Sequence, residues 1–389
     1  MTLITDSAAL ERFIADLADE PYLTVDTEFM RDRTYWPQLC LVQIGTSRDA
    51  VAIDALADGI DLEPLFRLMA DERILKVFHA PRQDLEIFHH LAGRLPRPLF
   101  DTQLAAMVLG YGDEVGYEAL VRQVAGANLD KTSRFTDWSR RPLTDKQVAY
   151  ALGDVTHLRV IYERFRDRLA ERGRSRWVDE ELDALLDPNL YEQDPDEVWR
   201  RLKVRTRDPR FLAVLRAVAA WREREAQRRD QPRNRVMRDD VLLDVVANRP
   251  RHVGALRELK RVSVDNRAAE GLVKAIDAAL ALPEAECPRI DPPAKLPKGI
   301  GPLVDLLRVL LRLASEEHAV AQRLIATTGD LEKIAADDDA DVAALEGWRF
   351  EVFGQAALAL KHGELALRAR GKRVELIETV GGEAVTLAG

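Results

Sequence analysis

At 389 residues, with 47% hydrophobic and 32% charged content, the chain has the length for two or three domains and the composition of a water-soluble globular protein, not of a disordered or fibrous one. No apolar run reaches the roughly 20 residues that span a bilayer, residues 1–13 lack a basic then apolar leader, and Cys40 and Cys287 have neither metal-ligand spacing nor an evident partner, so the expectation is a cytoplasmic protein without a disulfide framework or a zinc site. The net charge of −9 conceals a division, because residues 200–261 hold 19 Lys or Arg against 8 Asp or Glu, and the remainder then stands at −20.

In chain order, residues 22–29 (YLTVDTEF) are β-rich and give way to a polar stretch, residues 30–38. Residues 39–46 (LCLVQIGT) and 49–56 (DAVAIDAL) supply two further strands. Helical spacing over 61–74 precedes a short strand at 75–80 (LKVFHA). A second amphipathic helix over 82–92 closes at Gly93, a residue suited to a left-handed helix end. Residues 97–112 begin extended and become helical, with Asp101 as N-cap, and from 116 to 172 nearly everything reads as helix. Three neighbouring strands followed by alternation with helices indicate an α/β domain on a mixed sheet.

Strand signals fade after about Pro188, and helical patterning runs to about Leu282 with Pro232 and Pro250 as punctuation. Residues 283–302 carry six prolines in twenty positions and read as a linker. A third, helical unit spans roughly 303–367, and the last twenty residues read as loosely ordered. The basic surplus falls in the second of these units. Such a charge division fits a module that holds a polyanion joined to one that gathers carboxylates around cations; an Arg-rich helical domain with a solvated face has the same composition.

Four acids and a tyrosine carry the chemistry. Asp26 and Glu28 lie two apart on a strand and therefore share a face. Asp84 opens a helix after a strand, where an acid in the first turn also suits the helix dipole. Tyr150 and Asp154 lie four apart on a helix and share its face. Each pattern alone has an ordinary reading as surface or cap. Together they follow an order: V-D-T-E-F with Asp26 and Glu28, H-A-P-R-Q-D-L-E-I-F with Asp84, and Y-A-L-G-D-V with Tyr150 and Asp154. This set resembles the DEDD exonuclease superfamily, in its tyrosine subclass. The stretches at 33–45 and 129–144 are similar to those of the ribonuclease D family. The segments at 221–242 and 250–259 resemble the helical HRDC module, and the unit from Leu303, with G-W-R-F at 347–350, resembles a divergent second copy. Pro81 departs from the pattern, which more often has a small residue there, and removes no ligand atom.

The resemblance implies a ribonuclease H-like mixed sheet with helices on both sides over residues 1–198 and an HRDC domain over 199–283. A Pro-rich linker over 284–302 and a second all-α HRDC-type domain over 303–389 follow. It implies a 3′→5′ exoribonuclease that releases nucleoside 5′-monophosphates; transfer-RNA precursors are the favoured substrate, with other small RNAs and general 3′ trimming open, and the oligomeric state is open with a monomer favoured. Oxygen ligands without a His or Cys cluster favour Mg²⁺ or Mn²⁺; the resemblance implies two such ions, with Asp26 shared between them, Glu28 and Asp154 on one and Asp84 on the other, largely through water. Because tyrosine, with an ordinary pKa near 10, is a poor base at neutral pH, Tyr150 is read as orienting the attacking water. Phe29 and Met30 are candidates to wedge against the terminal base, with core packing as the other reading of Phe29. Arg222, Arg224, Arg228, Arg229, Arg233 and Arg235 are candidates to grip the RNA backbone. His79 reads as structural, His89 and His90 as helix-face residues, and Asp32, Asp54, Asp101 and Asp137 as caps or surface acids. A DNA exonuclease and an inactive nucleic-acid-binding scaffold are the rival readings; the latter predicts loss of an acid, and all four are present. A helicase is excluded by the absence of a G-x-x-x-x-G-K-[ST] phosphate loop.

Overall fold

The computed structural model describes residues 2–129, 136–259, 261–262, 264–290, 296–380 and 383–385. The first unit opens with β1 (Thr2–Ile4), α1 (Ser7–Ala15), β2 (Tyr22–Met30), β3 (Gln38–Gly45) and β4 (Ala50–Asp54). It continues through α2 (Glu63–Met69), β5 (Leu75–Phe78), α3 (Arg82–Ala92), β6 (Leu99–Asp101), α4 (Thr102–Val108) and α5 (Tyr117–Leu120). It ends with the long α6 (Asp145–Glu171) and α7 (Ser175–Leu185). The six strands form one mixed sheet in the order β1-β4-β3-β2-β5-β6. β2, β3 and β4 are antiparallel neighbours, whereas β1, β5 and β6 pair in parallel.

Period-two alternation sorts the sheet's side chains. Leu23, Val25, Val42 and Ile44 join the core formed with Leu10 of α1, Leu65 and Leu68 of α2, and Leu85 and Phe88 of α3. On the other face the partners Thr24 and Gly45, and Asp26 and Gln43, lie opposite each other, under α6. That helix starts at a reciprocal cap, in which the Thr144 hydroxyl accepts from Gln147 N–H and the Gln147 side chain accepts from Thr144 N–H. Gly93 (φ 65°) and Asp101 take the terminal roles expected of them at α3 and α4.

The second unit comprises α8 (Pro209–Arg229), α9 (Arg233–Val236), α10 (Asp239–Asn248), α11 (Val253–Glu258) and α12 (Asn266–Ala281) around a separate core of Leu212, Leu215, Leu242, Val246, Leu272 and Ile276. Val198 and Trp199 already belong to it, and Cys287 closes it. Part of the expected linker is therefore packed structure, because its apolar members have a helical core within reach. Residues 291–295 of that linker lie outside the described residues.

The third unit, α13 (Gly301–His318), α14 (Gln322–Ile325), α15 (Thr328–Ala336), α16 (Gly347–Arg349) and α17 (Gln355–Lys361), shares the first unit's core through Val304, Leu307, Leu311 and Phe353. Ala321 N donates to Met107 O at 2.9 Å, Arg174 donates to His318 O at 2.6 Å, and Trp177 stacks on Trp348 with centroids 4.4 Å apart. Among the described residues no helix is long and apolar enough to cross a membrane.

Three expectations change. The stretch read as helix from 116 to 172 is interrupted: Gly126 (φ 69°) ends a π-helical turn (Val121–Ala125), and α6 begins only after Pro142. Residues 130–135 of that stretch, including part of the similarity at 129–144, lie outside the described residues. The third unit is not all-α, and of the twenty residues read as loosely ordered, 370–380 and 383–385 are strand or turn. β7 (Leu365–Arg370), β8 (Arg373–Val380) and β9 (Glu383–Val385) form an antiparallel sheet, turned between its first two strands at Gly371 (φ 62°); residues 386–389 lie outside the described residues. The alternating run L-A-L is too short to separate a strand from a continuing helix by pattern. β1 was missed for the same reason.

Docking of the third unit needs a glycine. Gly110 has φ 81°, and a Cβ there would lie 2.4 Å from the Ala319 carbonyl oxygen. Gly110→Ala should therefore lower stability by about 2–4 kcal/mol, combining left-handed strain with a backbone clash. A thermal melt unchanged within a degree would contradict this packing.

Candidate active site

The site forms where α6 crosses β2. Close approach is permitted by Gly45, where a Cβ would meet Thr24 Oγ1 at 2.3 Å and Val155 O at 3.2 Å. Thr24 then donates to Val155 O at 2.8 Å and fixes the helix over the strand. With that register set, Asp26 and Glu28 of β2 meet Asp154 of α6: one carboxylate oxygen from each lies within 4.8 Å of the others. Asp84, in the first turn of α3, accepts a short hydrogen bond from Thr27, whose side chain points away from Asp26 along the strand's alternation. It stands outside that triad of oxygens, yet its charge is felt by Glu28.

Gathering acids in a half-enclosed place disfavours their ionised forms. Burial, then the Asp154 charge, pushes Asp26 up to about 8. Burial, followed by Asp26, Asp154 and Asp84, pushes Glu28 up to about 9. Burial and Asp26 raise Asp84 to about 8 against the opposing Thr27 hydrogen bond. Among the described residues Asp26, Glu28 and Asp84 form no ion pair with Lys or Arg. Hard oxygen donors gathered in this way fit divalent cations.

The cavity over Asp26, Glu28 and Asp154 is about 500 Å³ and is also lined by Tyr150, His79, Tyr117 and Glu118. Tyr150, four residues before Asp154 on α6, has its ring 6.2 Å from that of Trp138. Tyr117 donates a short hydrogen bond to the Asp154 backbone oxygen, so it anchors the helix turn that bears the acid. His79 is held by Thr102 at 3.1 Å, and burial lowers it to about 4, which keeps it uncharged at neutral pH. Sequence reasoning passed over Tyr117 and Glu118, since a tyrosine and an acid opening a four-residue helix carry no spacing signal.

The other candidates separate. Phe29 follows a register shift in β2 and packs against the main core, and Met30 packs beside Cys40, Trp138 and Leu152; neither lines the cavity. Arg222 is turned inward, donating to Met237 O at 2.9 Å and to Asp239 at 2.6 Å, which corrects the expectation that it reaches RNA. Arg233 binds the buried Glu223 at 2.5 Å beneath the Tyr35 ring. Arg228 and Arg229 both bind Glu225, one helical turn earlier, and Arg224 binds Asp196 at 2.6 Å. Arg235 is exposed and has no ion pair among the described residues. The run E-R-E-A-Q-R-R supplies its own countercharges at i,i+3 and i,i+4 spacing, which a charge count does not register.

Comparison with known proteins identifies the family. Residues 1–170 match the 3′-5′ exonuclease family and residues 211–272 the HRDC domain. Ribonuclease D of Nitrobacter hamburgensis is 52% identical over 97% of this chain and 100% of its own. That of Granulibacter bethesdensis is 49% identical over 97% of both. The crystal structure of Escherichia coli RNase D, described as an exoribonuclease involved in structured RNA processing, has 30% identity and a TM-score of 0.76. The match covers 93% of this chain and 98% of that one. Identity at this level from end to end leaves one assignment: the chain belongs to the ribonuclease D family.

Proposed function

We propose that Asp26, Glu28, Asp84 and Asp154 hold two divalent cations, Mg²⁺ or Mn²⁺, and that Tyr150 orients the attacking water in hydrolysis of the 3′-terminal phosphodiester of RNA. The protein is a metal-dependent 3′→5′ exoribonuclease that releases nucleoside 5′-monophosphates. The observation that carries the site assignment is the meeting of Asp26, Glu28 and Asp154 oxygens within 4.8 Å, in surroundings that push two of these acids far above the ordinary carboxylate range. When bound, the cations supply positive charge for the attacking and leaving oxygens of an in-line displacement. The chain's own groups set the geometry. Thr27 fixes the Asp84 carboxyl, Tyr117 fixes the Asp154 turn, and neutral His79 adds no charge to compete with the ions. The Tyr150 phenol, on the same helix face as Asp154, can position water by hydrogen bonding without giving up its proton. Transfer-RNA precursors with 3′ extensions are the proposed physiological substrates, acted on by a monomer. Exposed arginines of the second unit, Arg224, Arg228 and Arg235, add sequence-independent grip.

Three outcomes test this reading. Incubation with 3′-extended transfer RNA and Mg²⁺ or Mn²⁺ should release nucleoside 5′-monophosphates identifiable by mass, faster than from a matched DNA oligomer; exclusive release from DNA would reverse the substrate assignment. Tyr150→Phe should cut kcat by roughly 10²-fold, the lower end of general acid–base effects, while keeping the metal-induced rise in melting temperature. Unchanged turnover would remove Tyr150 from the chemistry. A divalent ion at a hundredfold excess over its Kd should add about 2.7 kcal/mol of stability. Asp26→Asn should abolish both that gain and turnover, yet melt no lower than the parent in EDTA, because an uncharged amide replaces an acid whose ionised form burial disfavours. A variant less stable in EDTA that still responds to metal would refute the shared-cation site.

A further inference from the structure

The first two units meet around residues 31–36, immediately beyond the end of β2. Arg31 lies three residues past Glu28, roughly 10 Å of extended chain. Two adjoining cavities of about 350 and 150 Å³ open there, and Arg31, Tyr35, Arg201 and Arg233 line both. Arg82, from the first turn of α3, lines the smaller. The joint itself is firmly made. Tyr35 and Trp36 N–H groups both donate to Asp230 at 3.0 Å, Gln227 donates to the Tyr35 hydroxyl at 3.1 Å, and Trp36 stacks on His90 with centroids 4.0 Å apart.

Charge in this cleft is unbalanced in a specific way. Its acids are already matched: Glu86 takes both forks of Arg31 at 2.7 and 2.8 Å, Glu223 takes Arg233 at 2.5 Å, and Asp239 takes Arg222 at 2.6 Å. Arg82 and Arg201 remain. Both are exposed, and neither has an ion pair among the described residues. Two guanidinium groups from different units thus border one polar cavity without countercharge, and a planar fork of donors is matched to phosphate oxygens. Between Arg201 and α8 the chain forms neither helix nor strand. Leu202 and Val204 pack inward on the helical core, while Lys203, Arg205 and Arg207 are exposed, so the basic face continues along the second unit.

We infer that this cleft is a second phosphate-binding site, in which Arg82 and Arg201 hold the phosphodiester backbone of single-stranded RNA upstream of the linkage being cut, with Lys203, Arg205 and Arg207 extending the track. The inference rests on the reading that the carboxylate cluster acts on RNA 3′ ends. Its role is to hold a polymer in place, so it discriminates by length and not by sequence.

The test uses the full chain and a fluorescent 12-nucleotide oligouridylate. In EDTA, Arg201→Ala should weaken binding about fivefold and Arg82→Ala with Arg201→Ala by tenfold or more. The slope of log K against log salt should fall by about 0.7 for each phosphate contact removed from a single strand. Arg201→Lys should recover most of the affinity. With Mg²⁺, the double variant should raise KM more than it lowers kcat on the 12-mer, and its loss in kcat/KM there should exceed the loss on a dinucleotide by about tenfold. Parental affinity and salt slope in the double variant, or equal losses on long and short substrates, would overturn the site. If the parent cleaves neither substrate, the active-site reading fails, and binding in EDTA still decides the cleft by itself.

Discussion

The contact between Thr24 and Val155, made possible by the missing side chain at Gly45, sets how closely α6 lies on β2. That distance decides whether Asp154 is a neighbour of Asp26 and Glu28 or an unrelated acid on a helix. A closely packed helix and strand cannot slide by small amounts, since interdigitated side chains allow discrete fits and not a continuum. The like-charge repulsion among the acids is therefore held in place by packing around it. Leu23 and Val25 on the far face of β2, and Val155 and Leu158 along α6, are buried and anchor both elements.

Repulsion of this kind is a functional reserve. Buried carboxylates that oppose one another are poorly solvated and have few protein partners, so a divalent ion entering among them exchanges an unfavourable arrangement for a favourable one. The surrounding groups avoid competing with it. His79 is uncharged, and Tyr117 spends its hydroxyl on a backbone oxygen instead of a carboxylate. The same economy organises the second unit in the opposite sense. There most arginines satisfy acids of their own helix or of a neighbour, while Arg201, Arg205 and Arg207 are exposed and have no ion pair among the described residues.

The three units are not independent beads. The third shares the first unit's hydrophobic core through α13 and the Trp177–Trp348 stack, while the second keeps its own core and is fastened by the Tyr35–Asp230 joint. A joint fastened in this way beside the carboxylates would let the proposed basic track hold a strand in fixed relation to them, and positioning of that kind is a large share of what a hydrolytic site must supply.

Much of this was legible in the chain itself. Asp26 and Glu28 two apart on a strand, Tyr150 and Asp154 four apart on a helix, and Asp84 opening α3 follow from local periodicity, and the expected sheet and helices formed around them. Spacing also located the basic helical unit, because charge composition is a local property. Tertiary structure alone decided the rest: that Arg222 turns inward while Arg82 and Arg201 stay open, that Tyr117 and His79 border the site, that β7, β8 and β9 pair as strands, and that the third unit buries itself against the first. The reason is physical. A repeat of two or 3.6 residues tells which side of its own element a residue faces, but a partner a hundred positions away is selected by packing, and nothing in the local pattern encodes that choice.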